Sequence, residues 1–212
     1  MSIGHTVVLL PALHDTSAQT TTQHAALADV GQVLTPDITV SATQSVILED
    51  PALRVLDAIS NAGADRAVLV GHGWGSMVAL QIAATRQERV PALMLSTNAR
   101  LETIVVRSLY YGILGLLSAK LVQQLGAGPA EVLNLFDQVR PADFRSLAER
   151  VPAPALIIVG EQDLANRGPS AVLARSLPLG NLRVVPQAGA GWRGRKPEVV
   201  ADLLIEFLTG MT

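Results

Sequence analysis

Short, almost purely apolar runs alternate along the chain with longer stretches in which apolar residues recur at helical spacing. The short runs are Thr6–Leu10, Gln32–Thr35, Ala67–Val70, Ala92–Leu95, Ala155–Val159 and Leu182–Val185. They lack the polar alternation of a half-exposed strand, so each reads as a strand covered on both faces. Between them, Ala52–Ala62 puts Leu53, Leu56 and Ile59 on one side and is followed by Gly63 as a stop. Ser76–Ala84 is apolar on most sides, as a helix pressed on a sheet would be. The last stretch opens at Pro197 and carries Val199, Val200, Leu203, Leu204, Phe207 and Leu208 as an apolar stripe. Strands alternating with helices predict a parallel sheet in an α/β fold.

Length and composition narrow this further. The chain has 212 residues, 49% of them apolar and 16% charged, which suits one folded domain, 1–212. With aromatics at 3%, the core has to be aliphatic. A formal charge of −2 without a basic run argues against a nucleic-acid partner. Cysteine is absent, which excludes disulfides, thiolate nucleophiles and Cys-bound metals. Val7–Leu10 is too short for a signal peptide's apolar region, and Tyr110–Leu117 falls short of a membrane span. A cytoplasmic protein with no membrane partner is expected.

The segment Ala67-Val-Leu-Val-Gly-His-Gly-Trp-Gly-Ser-Met-Val-Ala79 carries the chemistry. A strand enters a turn bounded by Gly71 and Gly75, and a helix leaves it. This resembles the nucleophile elbow, G-x-S-x-G, of the α/β-hydrolase superfamily, where a strained turn thrusts a serine above the sheet. At the serine position stands Gly73.

Three further segments are similar to that family's. Leu9-Leu-Pro-Ala-Leu-His-Asp15 resembles the oxyanion loop, which would make the Leu13 and Trp74 backbone N–H groups the oxyanion donors. Gly160-Glu-Gln-Asp163 resembles the turn supplying the triad acid, here Asp163. Pro186-Gln-Ala-Gly-Ala-Gly-Trp192 occupies the place of the histidine loop, with Ala190, or Gly191 on a slip of one residue, at the histidine position. The resemblance implies an α/β-hydrolase fold with helices on both faces. The family's initial strand pair has no counterpart ahead of Thr6, so about six mostly parallel strands are expected. A helical cap is expected over 99–151, with an apolar surplus that would either cover a pocket or a second copy in a homodimer, or simply pack on the domain.

Family chemistry needs a nucleophile, a base and an acid that orients the base. Of these the sequence retains Asp163. Ser76, one helical turn past the apex, is expected to pack inward or bond back to a carbonyl. His72 lies beside the pocket, where the family places structural surroundings. His14 either faces the pocket and carries a proton or sits in solvent. Trp74 and Trp192 are expected on loops converging at one pocket rim, suiting an apolar or aromatic small molecule. Arg193, Arg195 and Lys196 read as a solvated edge, with Arg193 in reach of an acidic ligand group. No cofactor is implied, and the four histidines lack metal-ligand spacing. Three functions remain open: a non-hydrolytic cyclase, isomerase or lyase, a binding or interaction protein without catalysis, and a hydrolase of non-standard mechanism.

Overall fold

The computed structural model describes residues 4–12, 15–39, 49–96, 144–189 and 191–211. Six strands, β1 (His5–Leu10), β2 (Gly31–Leu34), β3 (Val68–His72), β4 (Leu93–Ser96), β5 (Ala155–Gly160) and β6 (Gly180–Val185), form one sheet. Their order is β2-β1-β3-β4-β5-β6 and every pairing is parallel. All C-terminal strand ends therefore share one edge, which is where an open α/β sheet binds ligands. The helices are α1 (Ser17–Leu27), α2 (Glu49–Asn61), α3 (Trp74–Thr85), α4 (Phe144–Glu149), α5 (Leu164–Ser176), α6 (Trp192–Arg195) and α7 (Pro197–Thr209). Most of the expected cap, 99–143, lies outside the described residues; its end forms α4.

The strand pleat divides the core in two. Val8 and Leu10 of β1, Leu69 of β3, Leu93 and Leu95 of β4, and Ala155 and Ile157 of β5 point to one layer, where α2, α3, α4 and α5 cover them. Val7, Leu9, Val68, Val70, Met94, Leu156 and Ile158 point to the other, under α1, α6 and α7. Both faces of β1, β3, β4 and β5 are thus apolar, which is why these strands read as continuous apolar runs; β2 and β6, expected to be covered on both faces as well, end the sheet and are partly exposed. In α7, Val200, Leu204 and Leu208 are buried, and Val199, Leu203 and Phe207 pack at the margin of that layer. The stop after α2 is a glycine with φ 74°, and the Gly63 and Ala64 N–H groups close back on the Ser60 and Ile59 carbonyls.

Two long helices were not foreseen from apolar spacing. In α1, Thr20, Thr21 and Thr22 interrupt any stripe, and each hydroxyl bonds to a carbonyl four residues back. Its start is fixed by a reciprocal cap between Thr16 and Gln19. The other, α5, runs through Gly168 and Pro169.

Candidate active site

The turn between β3 and α3 has the form its glycines require. Gly73 sits at φ 51° and ψ −112°, a backbone that L side chains adopt only under strain. The flanking glycines are required by contact. A Cβ on Gly75 would lie 2.0 Å from the Leu10 carbonyl oxygen, and one on Gly71 would lie 2.7 Å from the Ser76 Cα. The Gly73 N–H donates to the Ser96 carbonyl at 3.0 Å, tying the apex to β4. Trp74 heads α3, so its N–H is one of the first-turn donors that have no partner within the helix.

Neighbouring side chains brace this turn. Ser76 is buried and its hydroxyl donates to the Gly71 carbonyl at 2.8 Å, with the Ser96 carbonyl at 3.3 Å. His72 is fully buried, and its Nδ1 lies 3.0 Å from the Ser96 Oγ. The Trp74 indole N–H donates to the Ile38 carbonyl at 2.9 Å, fastening the segment after β2 beside the elbow. That segment is itself held by Asp37, which accepts from the Thr39 N–H and hydroxyl, and by Arg54, which donates to the Asp37 and Thr39 carbonyls. The Thr39 hydrogen bonds hold the Asp37 carboxyl below its ordinary value, with Arg54 adding to the effect.

The acid loop reaches the same edge. Asp163 follows β5, is partly buried, and accepts from the Asn166 side-chain amide at 2.9 and 2.8 Å. Asp15, just past β1, accepts from the Ala12 N–H at 2.9 Å, and its own N–H donates to the Ala12 carbonyl at 3.1 Å. Leu13, His14 and Ala190, the expected oxyanion donor, proton carrier and histidine position, lie outside the described residues. Gly191, the alternative histidine position, is a left-handed residue with φ 70° that introduces α6.

Two expectations are corrected. Trp74 and Trp192 do not share a rim: both are buried, Trp74 in the layer under α2 and α3 and Trp192 in the layer under α1 and α7. Each begins a helix, and the helix turns the indole into its own side of the sheet. Arg193 is not part of a solvated edge, as Arg195 and Lys196 are, but is buried at 8% exposure. Its place on the inner face of a single turn gave no periodic signal. Burial pushes its guanidinium below the ordinary arginine value, and the Asp15 and Asp163 carboxylates push it back up.

Among the described residues no cluster of His, Asp or Glu side chains is placed to hold a metal ion. No helix among them is long and apolar enough to cross a membrane. No family model matches the sequence. Solved structures do resemble the chain. A thermophilic esterase from Thermogutta terrifontis matches at a TM-score of 0.77 and 20% identity, covering 99% of this chain and 91% of its own. The enol-lactonase from Burkholderia xenovorans LB400 matches at 0.72 and 19%, covering 97% and 92%. An N-acyl homoserine lactone degrading enzyme matches at 0.71 and 22%, covering 97% and 94%. With six parallel strands in this order, helices on both faces and the strained turn after β3, the chain adopts the α/β-hydrolase fold.

Proposed function

We propose that the protein is a non-hydrolytic pocket protein that takes an apolar small molecule and promotes isomerisation, cyclisation or elimination, not acyl transfer. The observation carrying this reading is Gly73: the elbow keeps its strained backbone, and the apex bears no side chain to attack a carbonyl. Ser76, the nearest hydroxyl in sequence, is buried and bonded to backbone carbonyls, an arrangement that favours a structural part for it. The sequence puts a methyl group at Ala190, where the family would hold its base. The frame that remains supports polarisation of a ligand oxygen: the first-turn N–H groups of α3 lie at the positive end of the helix dipole. Asp163 is the candidate for moving a proton.

A binding protein without turnover is the second reading. It is favoured by Asn166, whose amide already occupies both oxygens of Asp163.

Hydrolysis of p-nitrophenyl esters by the parent and by Gly73→Ser combined with Ala190→His tests the proposal. The parent is expected to give at most the residual acceleration of an oxyanion frame, about 10³–10⁴-fold over water. The double variant is expected to exceed it. Efficient ester hydrolysis by the parent, abolished by Asp163→Asn, would overturn the reading in favour of a hydrolase of non-standard mechanism.

A further inference from the structure

Arg193 is a buried side chain that the contacts among the described residues do not account for. The loop ahead of α6 is stitched to the Asp163 loop: the Gln162 N–H donates to the Ala188 carbonyl at 2.8 Å, and the Gln187 N–H to the Glu161 carboxylate at 2.9 Å. A Cβ on Gly160 would lie 2.3 Å from that same Ala188 oxygen. At its other side α6 presses on the start of α1, where a Cβ on Gly194 would meet the Gln19 amide at 2.7 Å. Gln19 belongs to the cap that follows Asp15. Thus α6 spans from the loop after β5 to the start of α1. Between those strands stand β3, with Gly73 at its end, and β4.

Arg193 is nine-tenths buried in that span, and its Nε has no hydrogen-bond partner among the described residues. The hydrogen bonds of its two carboxylate neighbours go elsewhere, from Asp15 to Ala12 and from Asp163 to Asn166. Those carboxylates act on the guanidinium through space. A buried guanidinium stays charged and is destabilising when its donors are unmatched. An unmatched buried donor in a native structure is met by an ordered water or ion, or serves a functional role.

We infer that Arg193 is a ligand-docking residue, whose guanidinium takes the carbonyl oxygen of an uncharged small molecule bound over Gly73. Charge selects the class. Arg193 brings one positive group to the place and Asp15 and Asp163 two negative ones, so a ligand carboxylate would add like charge beside them. A neutral carbonyl accepts the same N–H groups without that repulsion. The inference rests on the pocket reading above, since a bare apex is what leaves room for the ligand.

The test is a saturation-transfer NMR titration of the full chain with three ligands of similar shape: acetophenone, benzoate and toluene. Arg193→Met keeps much of the stem and removes the charge. The parent is expected to bind acetophenone about tenfold tighter than either analogue, the ratio for one hydrogen bond to a charged group. In Arg193→Met the acetophenone affinity should fall to that of toluene, while the melting temperature stays or rises as an unmatched charge leaves the interior. Equal ketone binding by parent and variant, a preference for benzoate, toluene binding as well as acetophenone, or no ketone binding at millimolar concentration would each overturn the inference. So would a lower melting temperature for Arg193→Met, because the cation would then be holding the fold together. Ester hydrolysis by the parent sinks the pocket reading, whereas ketone binding that ignores Arg193 in a non-hydrolytic parent sinks the inference alone.

Discussion

Gly75→Ala measures how tightly the elbow is built. The new Cβ would lie 2.0 Å from the Leu10 oxygen, 2.5 Å from its carbonyl carbon and 2.7 Å from its Cβ. Two of these atoms are backbone at the end of β1, and Leu10 is in register with Gly71 of β3. Neither strand can yield without disturbing the sheet, so α3 would have to lift by more than an ångström. Overpacking of this kind is destabilising by about 1–3 kcal/mol and occasionally more, and backbone atoms place it at the upper end. Alanine's better helix propensity returns about 1 kcal/mol. The net loss is therefore about 2 kcal/mol. With a urea m-value of about 2 kcal/mol per molar, the unfolding midpoint should drop by roughly 1 M. Gly189→Ala is the control: its Cβ would meet the Gln162 side chain at 3.7 Å, an ordinary contact. There the restricted unfolded chain should stabilise the protein by about 0.4–1 kcal/mol. A Gly75→Ala midpoint equal to the parent's would refute the close seating of α3 on β1.

Three other outcomes follow from the same structure. Gly73→Ser alone should fold but lose about 1–3 kcal/mol in urea unfolding, because a side chain at φ 51° is strained; unchanged stability would mean a relaxed turn. Trp74→Phe removes the indole donor from the Ile38 carbonyl and should destabilise by about 1–3 kcal/mol, with faster amide exchange in the segment after β2. Asp37 has a folded-state value below its ordinary 3.8, so its contribution is present above that value and is lost as pH falls through the folded one. The parent's advantage over Asp37→Asn in urea should accordingly be seen at neutral pH and close in acid; an advantage that persists in acid would contradict the Thr39 and Arg54 contacts as its source.

The centre of the sheet was legible because β1, β3, β4 and β5 are buried on two faces, and such strands leave uninterrupted Val, Leu and Ile in the sequence. The elbow was legible because Gly71 and Gly75 are fixed by contact with backbone, which leaves no other residue type at those places. Helix α1 was not, since its stability begins with the Thr16 cap and not with an apolar stripe. The tryptophans misled because chain proximity to a loop says nothing of which side of a sheet a helix start will face. Arg193 was hidden for a related reason. A charged residue beside Arg195 and Lys196 reads as surface, and only the seating of α6 between the start of α1 and the Asp163 loop turns it inward.

The most direct measurement is labelling of the parent with an alkyl fluorophosphonate, which bonds covalently to an activated serine. Intact-protein mass spectrometry should show no adduct on the parent, because Gly73 offers no oxygen and the Ser76 hydroxyl is buried and bonded to the Gly71 carbonyl. A stoichiometric adduct lost in Ser76→Ala would contradict this account and make the protein a serine hydrolase with a displaced nucleophile.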